Sequence, residues 1–323
     1  MSPARAPTRA ALEDAARWVY EAMPPTPQYA WPLLARRTGC EVWVKHENHT
    51  PTGAFKVRGG LVYFRELRAE RPDVRGVVAA TRGNHGQSVA WAAARHGLSA
   101  TVVVPRGNSR EKNAAMRAFG AELIEHGDDF QDALERARQL ATERGLHFVG
   151  SFADALVRGV ASYALELFAA VADLHTVYVP IGLGSGICGV IRARDALGLA
   201  TRVVGVVSEA LPAYRKSFEA GAPVATPPAE TIADGVAARV PDPDALAVIL
   251  GGAERVIGVP EAGIRAAMRH YFSDTHNVIE GAAAAPLAAL LGEREVMRGR
   301  RVAVVATGGN VDTDVFADVL SEG

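Results

Sequence analysis

Thr176-Val177-Tyr178-Val179-Pro180-Ile181-Gly182-Leu183-Gly184-Ser185-Gly186-Ile187-Cys188-Gly189 decides how this chain is read. It opens on an uncharged, valine-bearing run that ends at a proline, and alternate glycines follow. A strand without charges suits burial on both faces, as in a parallel sheet. The glycines let backbone N–H groups converge, and a helix opening after them and running to about Gly198 adds partial positive charge. Strand, glycine turn and helix N-terminus together make a phosphate seat. The plain alternative is a tight turn that lets strand and helix pack closely.

The same alternation runs outward in both directions. Strands are expected at Glu41–Val44, Gly76–Ala80, Ala100–Pro105, Ala121–Glu125, Thr176–Pro180, Arg202–Ser208, Arg255–Val259 and Arg301–Ala306. Amphipathic stretches lie between many of them. Asp128–Arg144 is the clearest, with Phe130, Leu134, Ala137 and Leu140 at helical spacing. Gly97, Gly120 and Gly145 follow such stretches as helix C-terminal caps do. Regular alternation of this kind predicts an open α/β fold. Residues Pro223 to Pro243 show weak periodicity and read as a long connecting loop.

Composition narrows the function classes. A chain of 323 residues suggests two domains. Lys plus Arg is 35 and Asp plus Glu is 36, a net charge of −1 that gives no electrostatic reason to expect a nucleic-acid partner. Two cysteines, Cys40 and Cys188, cannot make a disulfide framework, which favours a reducing compartment and a cytoplasmic location. No apolar run reaches the roughly 18 residues of a membrane span. Arg5 and Arg9 precede Glu13 and Asp14 without an apolar core, so no secretory signal is expected.

In open α/β folds ligands sit beyond the carboxyl ends of strands. Four polar turns fall there: Thr50–Gly60, Thr81–Gln87, Gly182–Gly189 and Thr307–Asn310. In the first, Lys56 follows Phe55 between Gly53 and Gly59. A lysine in an apolar, partly dry pocket loses its proton readily and becomes a nucleophile for carbonyls. The second turn opens the helix Asn84–His96 and offers an anion seat suited to a carboxylate. The third also fits G-x-G-x-x-G at Gly184, Gly186 and Gly189, with Glu209 20 residues on, where an acid would bind a ribose hydroxyl. A nicotinamide-dependent dehydrogenase is therefore one rival, and a non-catalytic phosphate-ligand binding protein is another.

Taken together, these segments resemble a family. P-T-G-A-F-K-V-R-G-G, residues 51–60, is similar to the lysine segment of fold-type II pyridoxal phosphate enzymes, usually P-T-G-S-F-K-x-R-G-A. T-R-G-N-H-G-Q is similar to their S-x-G-N-H-A-Q, and P-I-G-L-G-S-G-I-C-G to their P-V-G-G-G-G-L-I-A-G. Thr231–Gly235, Val278–Ala282 and Ala306–Asn310 resemble further family segments in the right order. The resemblance runs from about Thr26 to about Val319 and is strongest to the threonine/serine dehydratases and serine racemases.

The resemblance implies a tryptophan synthase β-like fold, two open parallel α/β domains with the cofactor in the cleft. Residues 1–72 and 150–323 would form the large domain and 73–149 the small one. Lys56 would hold pyridoxal 5′-phosphate covalently, with Phe55 near the ring and Asn84 on the ring hydroxyl. Gly182, Leu183, Gly184, Ser185 and Gly186 would cradle the phosphate. Thr307 would face the pyridine nitrogen, and Gly235 and Glu280 would line the ring. Thr81, Arg82, Gly83, Asn84 and His85 would bind substrate. The implied reaction is β-elimination of water from L-threonine, L-serine or a related 3-hydroxy amino acid, giving a 2-oxo acid and ammonia. A homodimer is implied by the same relatives.

Four departures qualify the implication. Arg82 stands where racemase relatives carry a proton-donating serine, and a guanidinium with a pKa above about 12 is a very poor donor. Little racemase activity is expected. Arg82 either meets a substrate carboxylate or forms a surface ion pair; facing the site, it would make 3-hydroxyaspartate a plausible substrate, with phenylserine another. Val207 and Ala213 replace the oxygen ligands of metal-activated relatives, so no such divalent site is expected, Glu209 being the only nearby acid. Leu183 replaces a glycine and would need a permissive backbone angle. The chain also stops just after the catalytic region, so feedback by isoleucine through a further domain is not expected. His46, His49, His270, His276, Cys188 and the four tryptophans read as packing or surface residues.

Overall fold

The computed structural model describes residues 6–322. Arg5 and the outermost ends of the expected large domain lie outside them. Among the described residues there are ten strands: β1 (Gln28–Ala30), β2 (Glu41–His46), β3 (Gly76–Ala80), β4 (Ser99–Val104), β5 (Glu122–Glu125), β6 (His147–Phe148), β7 (Thr176–Pro180), β8 (Arg202–Ser208), β9 (Arg255–Val259) and β10 (Arg301–Ala306). They form two sheets, ordered β1-β2-β10-β7-β8-β9 and β5-β4-β3-β6. Every pairing is parallel except β1 with β2. The expected strands are all present within a residue or two at their ends, while β1 and β6 were not expected.

Burial explains the sheets. All five residues of β3 and of β7 are buried, as strands covered by helices on both faces must be. Each fully buried Val or Leu side chain contributes roughly 1.5–3 kcal/mol. One core lies beneath the Gly281–Gly292 helix and a second beneath the helices Asp154–Ala170 and Ser185–Ala196. A third surrounds β3 and β4 and takes Phe64 and Leu67 from the helix Lys56–Glu70. That helix starts beyond β2 of the larger sheet and ends against the smaller one, so it ties the lysine turn to both.

Helix ends follow the sequence. Asp129 caps Phe130–Arg144 by accepting from the backbone N–H groups of Gln131 and Asp132, and Gly145 closes the helix at φ 62°. The segment after Gly221 runs as loop to Pro243, interrupted by one short turn of helix at Asp234–Val236.

Candidate active site

The four polar turns do meet. Strand β10 lies between β2 and β7, and this brings the turns after all three strands to one edge. The Phe55 N–H donates to the Thr307 carbonyl at 3.0 Å, the Gly309 N–H donates to the Gly53 carbonyl at 2.9 Å, and Ala54 bridges Gly308. The turn after β3 joins from the smaller sheet. There the Ser88 hydroxyl donates to the Lys56 carbonyl at 2.8 Å, and the Asn84 amide donates to Glu280 Oε1 at 2.7 Å.

Lys56 opens its helix, with its Nζ 5.0 Å from the centre of the Phe55 ring. Desolvation lowers its pKa to about 8, against the opposing pull of the Glu280 carboxylate. The half-buried lysine therefore stands in a partly dry setting. Phe55 meets the Tyr163 ring edge-on at 6.2 Å, and the Tyr163 hydroxyl donates to the Gly186 carbonyl at 3.1 Å. Two aromatic rings therefore connect the lysine turn to the glycine turn.

The glycine turn has the shape of a cradle. Gly184 has φ 102°, and a Cβ there would lie 2.6 Å from Ala245 Cβ, so neither backbone nor space accepts a side chain. Leu183 does not have positive φ; the left-handed angle falls on Gly184 instead, which corrects the expectation for Leu183. The Tyr214 hydroxyl donates to the Leu183 carbonyl at 3.1 Å and accepts from the Asp242 N–H at 3.0 Å, fixing the turn from outside. Gly182 packs against the Gly235 carbonyl, and Gly235 itself is exposed. Buried Ser185 and Gly186 begin a 12-residue helix whose first N–H groups lack intrahelical acceptors. A compact phosphate fits this arrangement. Thr307 is 3% exposed at the end of β10, within the same cluster of turns.

The opposite wall is ionic. Buried Glu280 has a raised pKa, because desolvation and Asp234 outweigh the pull of Lys112. Lys112, 6% exposed, places Nζ 2.6 Å from Asp234 and 3.3 Å from Glu280. Desolvation disfavours its charge, but the two carboxylates keep its pKa above the usual lysine value. Its stem crosses Gly83, where a Cβ would come within 2.4 Å of Lys112 Cδ. Asn310 donates to Asn84 Oδ1 at 2.9 Å and to the Thr52 carbonyl at 2.8 Å. Lys112, Asp234 and Asn310 were not singled out from the sequence. Asp234 and Asn310 stand inside segments that carry the family resemblance, whereas Lys112 reads as an ordinary charge on an amphipathic helix.

In the turn after β3, Thr81 Oγ1 accepts from the N–H groups of Gly83 (2.9 Å) and Gly86 (3.3 Å). In buried His85, desolvation first, then the charge of Lys56, lowers the pKa to about 3, so it is neutral at pH 7. Exposed Arg82 lines a cavity of about 310 Å3 whose walls include Lys112, Glu280 and Asn310. Among the described residues it has no carboxylate within 4.0 Å, so the alternative of a surface ion pair is not realised. Glu209 is exposed and packs near Gly258. Among the described residues no helix is long and apolar enough to cross a membrane.

Comparison with known proteins defines the class. The chain belongs to the pyridoxal-phosphate dependent enzyme family, which matches residues 19–308. It is 34% identical over 292 residues to an L-threonine ammonia-lyase of Thermotoga maritima, covering 90% of this chain and 72% of that one. Among solved structures it resembles a threonine deaminase from T.th., with TM-score 0.88, 31% identity and coverage of 95% and 99% of the two chains. It also resembles a pyridoxal 5′-phosphate-dependent aspartate racemase, with TM-score 0.89, 29% identity and coverage of 95% and 97%. These likenesses bear out the expected fold class, cofactor and family, and they leave the dehydrogenase reading of the glycine turn without support.

Proposed function

We infer that this chain is a pyridoxal phosphate-dependent ammonia-lyase that removes water from L-threonine, L-serine or a related 3-hydroxy amino acid, giving a 2-oxo acid and ammonia. The observation that carries the reading is Lys56, a desolvated amine joined through Phe55 and Tyr163 to a glycine cradle suited to phosphate. The names of the relatives point the same way, since an L-threonine ammonia-lyase and a threonine deaminase are among them.

When bound, pyridoxal 5′-phosphate supplies the electron sink for negative charge developing at the substrate Cα. The chain's own residues do the rest. Lys56 anchors the cofactor and, once its amine is free, takes the Cα proton; a base with pKa near 8 is matched to neutral solution. Residues 182–186 would hold the phosphate through backbone N–H groups and the Ser185 hydroxyl. Asn84, kept in place by Glu280 and Asn310, would meet the ring hydroxyl. Thr307 would offer the pyridine nitrogen a neutral hydroxyl rather than a carboxylate, which would favour elimination over transamination. The N-terminus of the Asn84–Arg95 helix binds the substrate carboxylate. With no serine at position 82 there is no proton donor for the second face of Cα, so racemisation is slow.

Residues 73–149 act as a small domain on 1–72 and 150–323. Strands β3–β6 all fall inside that span, and Lys112, Ser109 and Arg110 reach from it to Asp234, Asp312 and Asp314. Closure across these contacts would exclude water from the site.

The test is direct. Purified protein is expected to show a visible cofactor absorption band that borohydride bleaches, with the label on Lys56. It is also expected to release 2-oxo acid from a 3-hydroxy amino acid. Lys56→Ala is expected to lose the band and at least about 10³-fold of the activity. A label on any other residue would count against the reading.

A further inference from the structure

Among the described residues, Arg82 is the one cation lining the two cavities on this side of the site that has no carboxylate within 4.0 Å. It lines both the cavity beside Glu280 and a neighbouring one of about 610 Å3. Five carboxylates share those walls, and four of them are held by other donors. Asp234 and Glu280 face Lys112. Asp312 accepts from the Ser109 hydroxyl at 2.5 Å and from the N–H groups of Arg110 and Glu111. Glu261 accepts from the Thr231 hydroxyl at 2.8 Å and the Ile232 N–H at 2.6 Å. Glu230, the fifth, is exposed and not within 4.0 Å of Arg82. The other cations are engaged as well, Lys112 as described and Arg265 with Glu322.

We propose that Arg82 sets the specificity of this site by binding a second carboxylate, carried on the β-carbon of the 3-hydroxy amino acid. The proposal rests on the ammonia-lyase reading above. A guanidinium presents a planar fork of donors that meets a carboxylate bidentately. The carboxylate common to all amino acids has its own seat at the helix beginning at Asn84, two residues on. Arg82 is therefore left for whatever the β-carbon carries. The hydrogen of serine and the methyl of threonine give it nothing to bind.

The chemistry balances with the added carboxylate. The Cα–H and Cβ–O bonds break and water leaves; the resulting imine takes up one water and releases ammonia. The net change is loss of ammonia to leave a 2-oxo dicarboxylic acid, with no oxidant or reductant required.

The experiment compares 2-oxo acid release from threo-3-hydroxyaspartate, L-serine and L-threonine by the holoenzyme, by Arg82→Ser and by Arg82→Lys, each checked for an unchanged cofactor band. The wild-type protein is expected to favour 3-hydroxyaspartate over serine about tenfold or more in kcat/KM. Arg82→Ser is expected to cut that ratio about tenfold or more, chiefly through KM, and Arg82→Lys to retain part of it. A ratio unchanged in Arg82→Ser, or KM values raised equally for all three substrates, overturns the proposal while leaving the lyase reading standing. Release from none of the three, with the band present, ends both.

Discussion

Two buried ionic clusters stand beside Lys56, and they are built differently. The first begins two residues on, at Arg58, which has no exposed surface. Arg58 donates to Glu47 (2.7 and 3.0 Å), Glu166 (2.6 and 3.0 Å), Ser162 (2.9 Å) and Thr26 (3.1 Å). Lys45 adds bonds to Glu166 (2.5 Å) and to the Thr26 carbonyl (2.6 Å). Two cations meet two carboxylates, and the donor fork is filled by the protein itself. The second cluster is Lys112, Asp234 and Glu280, which line a cavity and include a carboxylate whose pKa is raised. A closed cluster fixes geometry, because desolvated charges tolerate no missing partner. An open one leaves polar capacity for a ligand.

The sharpest way to break this contrast is Arg58→Leu. It strands Glu47 and Glu166 without their cation, and breaking a buried pair on one side costs about 3–5 kcal/mol. The urea midpoint at pH 7 is expected to fall accordingly. A midpoint near that of the wild type would show that the first cluster is not the rigid element described.

Lys112→Met is expected to cost less, about 1–3 kcal/mol, because Glu280 can take up a proton in place of the lost ion pair. The loss has a defined pH dependence. The folded-state pKa of Glu280 is raised, so the stability it contributes is present below its unfolded value and is lost as pH rises through the folded value. The variant is therefore expected to be less destabilised at pH 5 than at pH 8. Equal destabilisation at the two pH values would mean that Glu280 stays ionised.

The same contrast explains what could be read from the sequence. Lys56 and the glycine turn were legible because their neighbours are local: Phe55 adjoins the lysine, and strand, turn and helix follow in one run of chain. The ionic wall was not. Lys112 meets Asp234 across 122 positions and Asn84 meets Asn310 across 226, separations at which residue spacing carries no signal. Strands β1 and β6, three and two residues long, are too short to show periodicity. Leu183 was misread because a glycine pattern marks where permissive angles occur but does not say which residue uses them; Gly184 does.

A last distinction concerns which cluster speaks to Lys56. On the proposed function its amine attacks the cofactor aldehyde and must be neutral to do so; its pKa is lowered from 10.5 to about 8 by desolvation, with Glu280 pulling upward. The rate at which cofactor-free protein captures pyridoxal 5′-phosphate is expected to rise about tenfold per pH unit below 8 and to level off above it. A lysine with an ordinary pKa would still be climbing at pH 10. Glu280→Gln removes the opposing charge, so the inflection is expected to move to lower pH. Ser162→Ala, which trims one bond from Arg58 and leaves its charge partners, is expected to leave the inflection where it is. Stopped-flow absorbance across pH 6–10 reads all three curves, and equal shifts in the two variants would show that the closed cluster, too, sets the charge of Lys56.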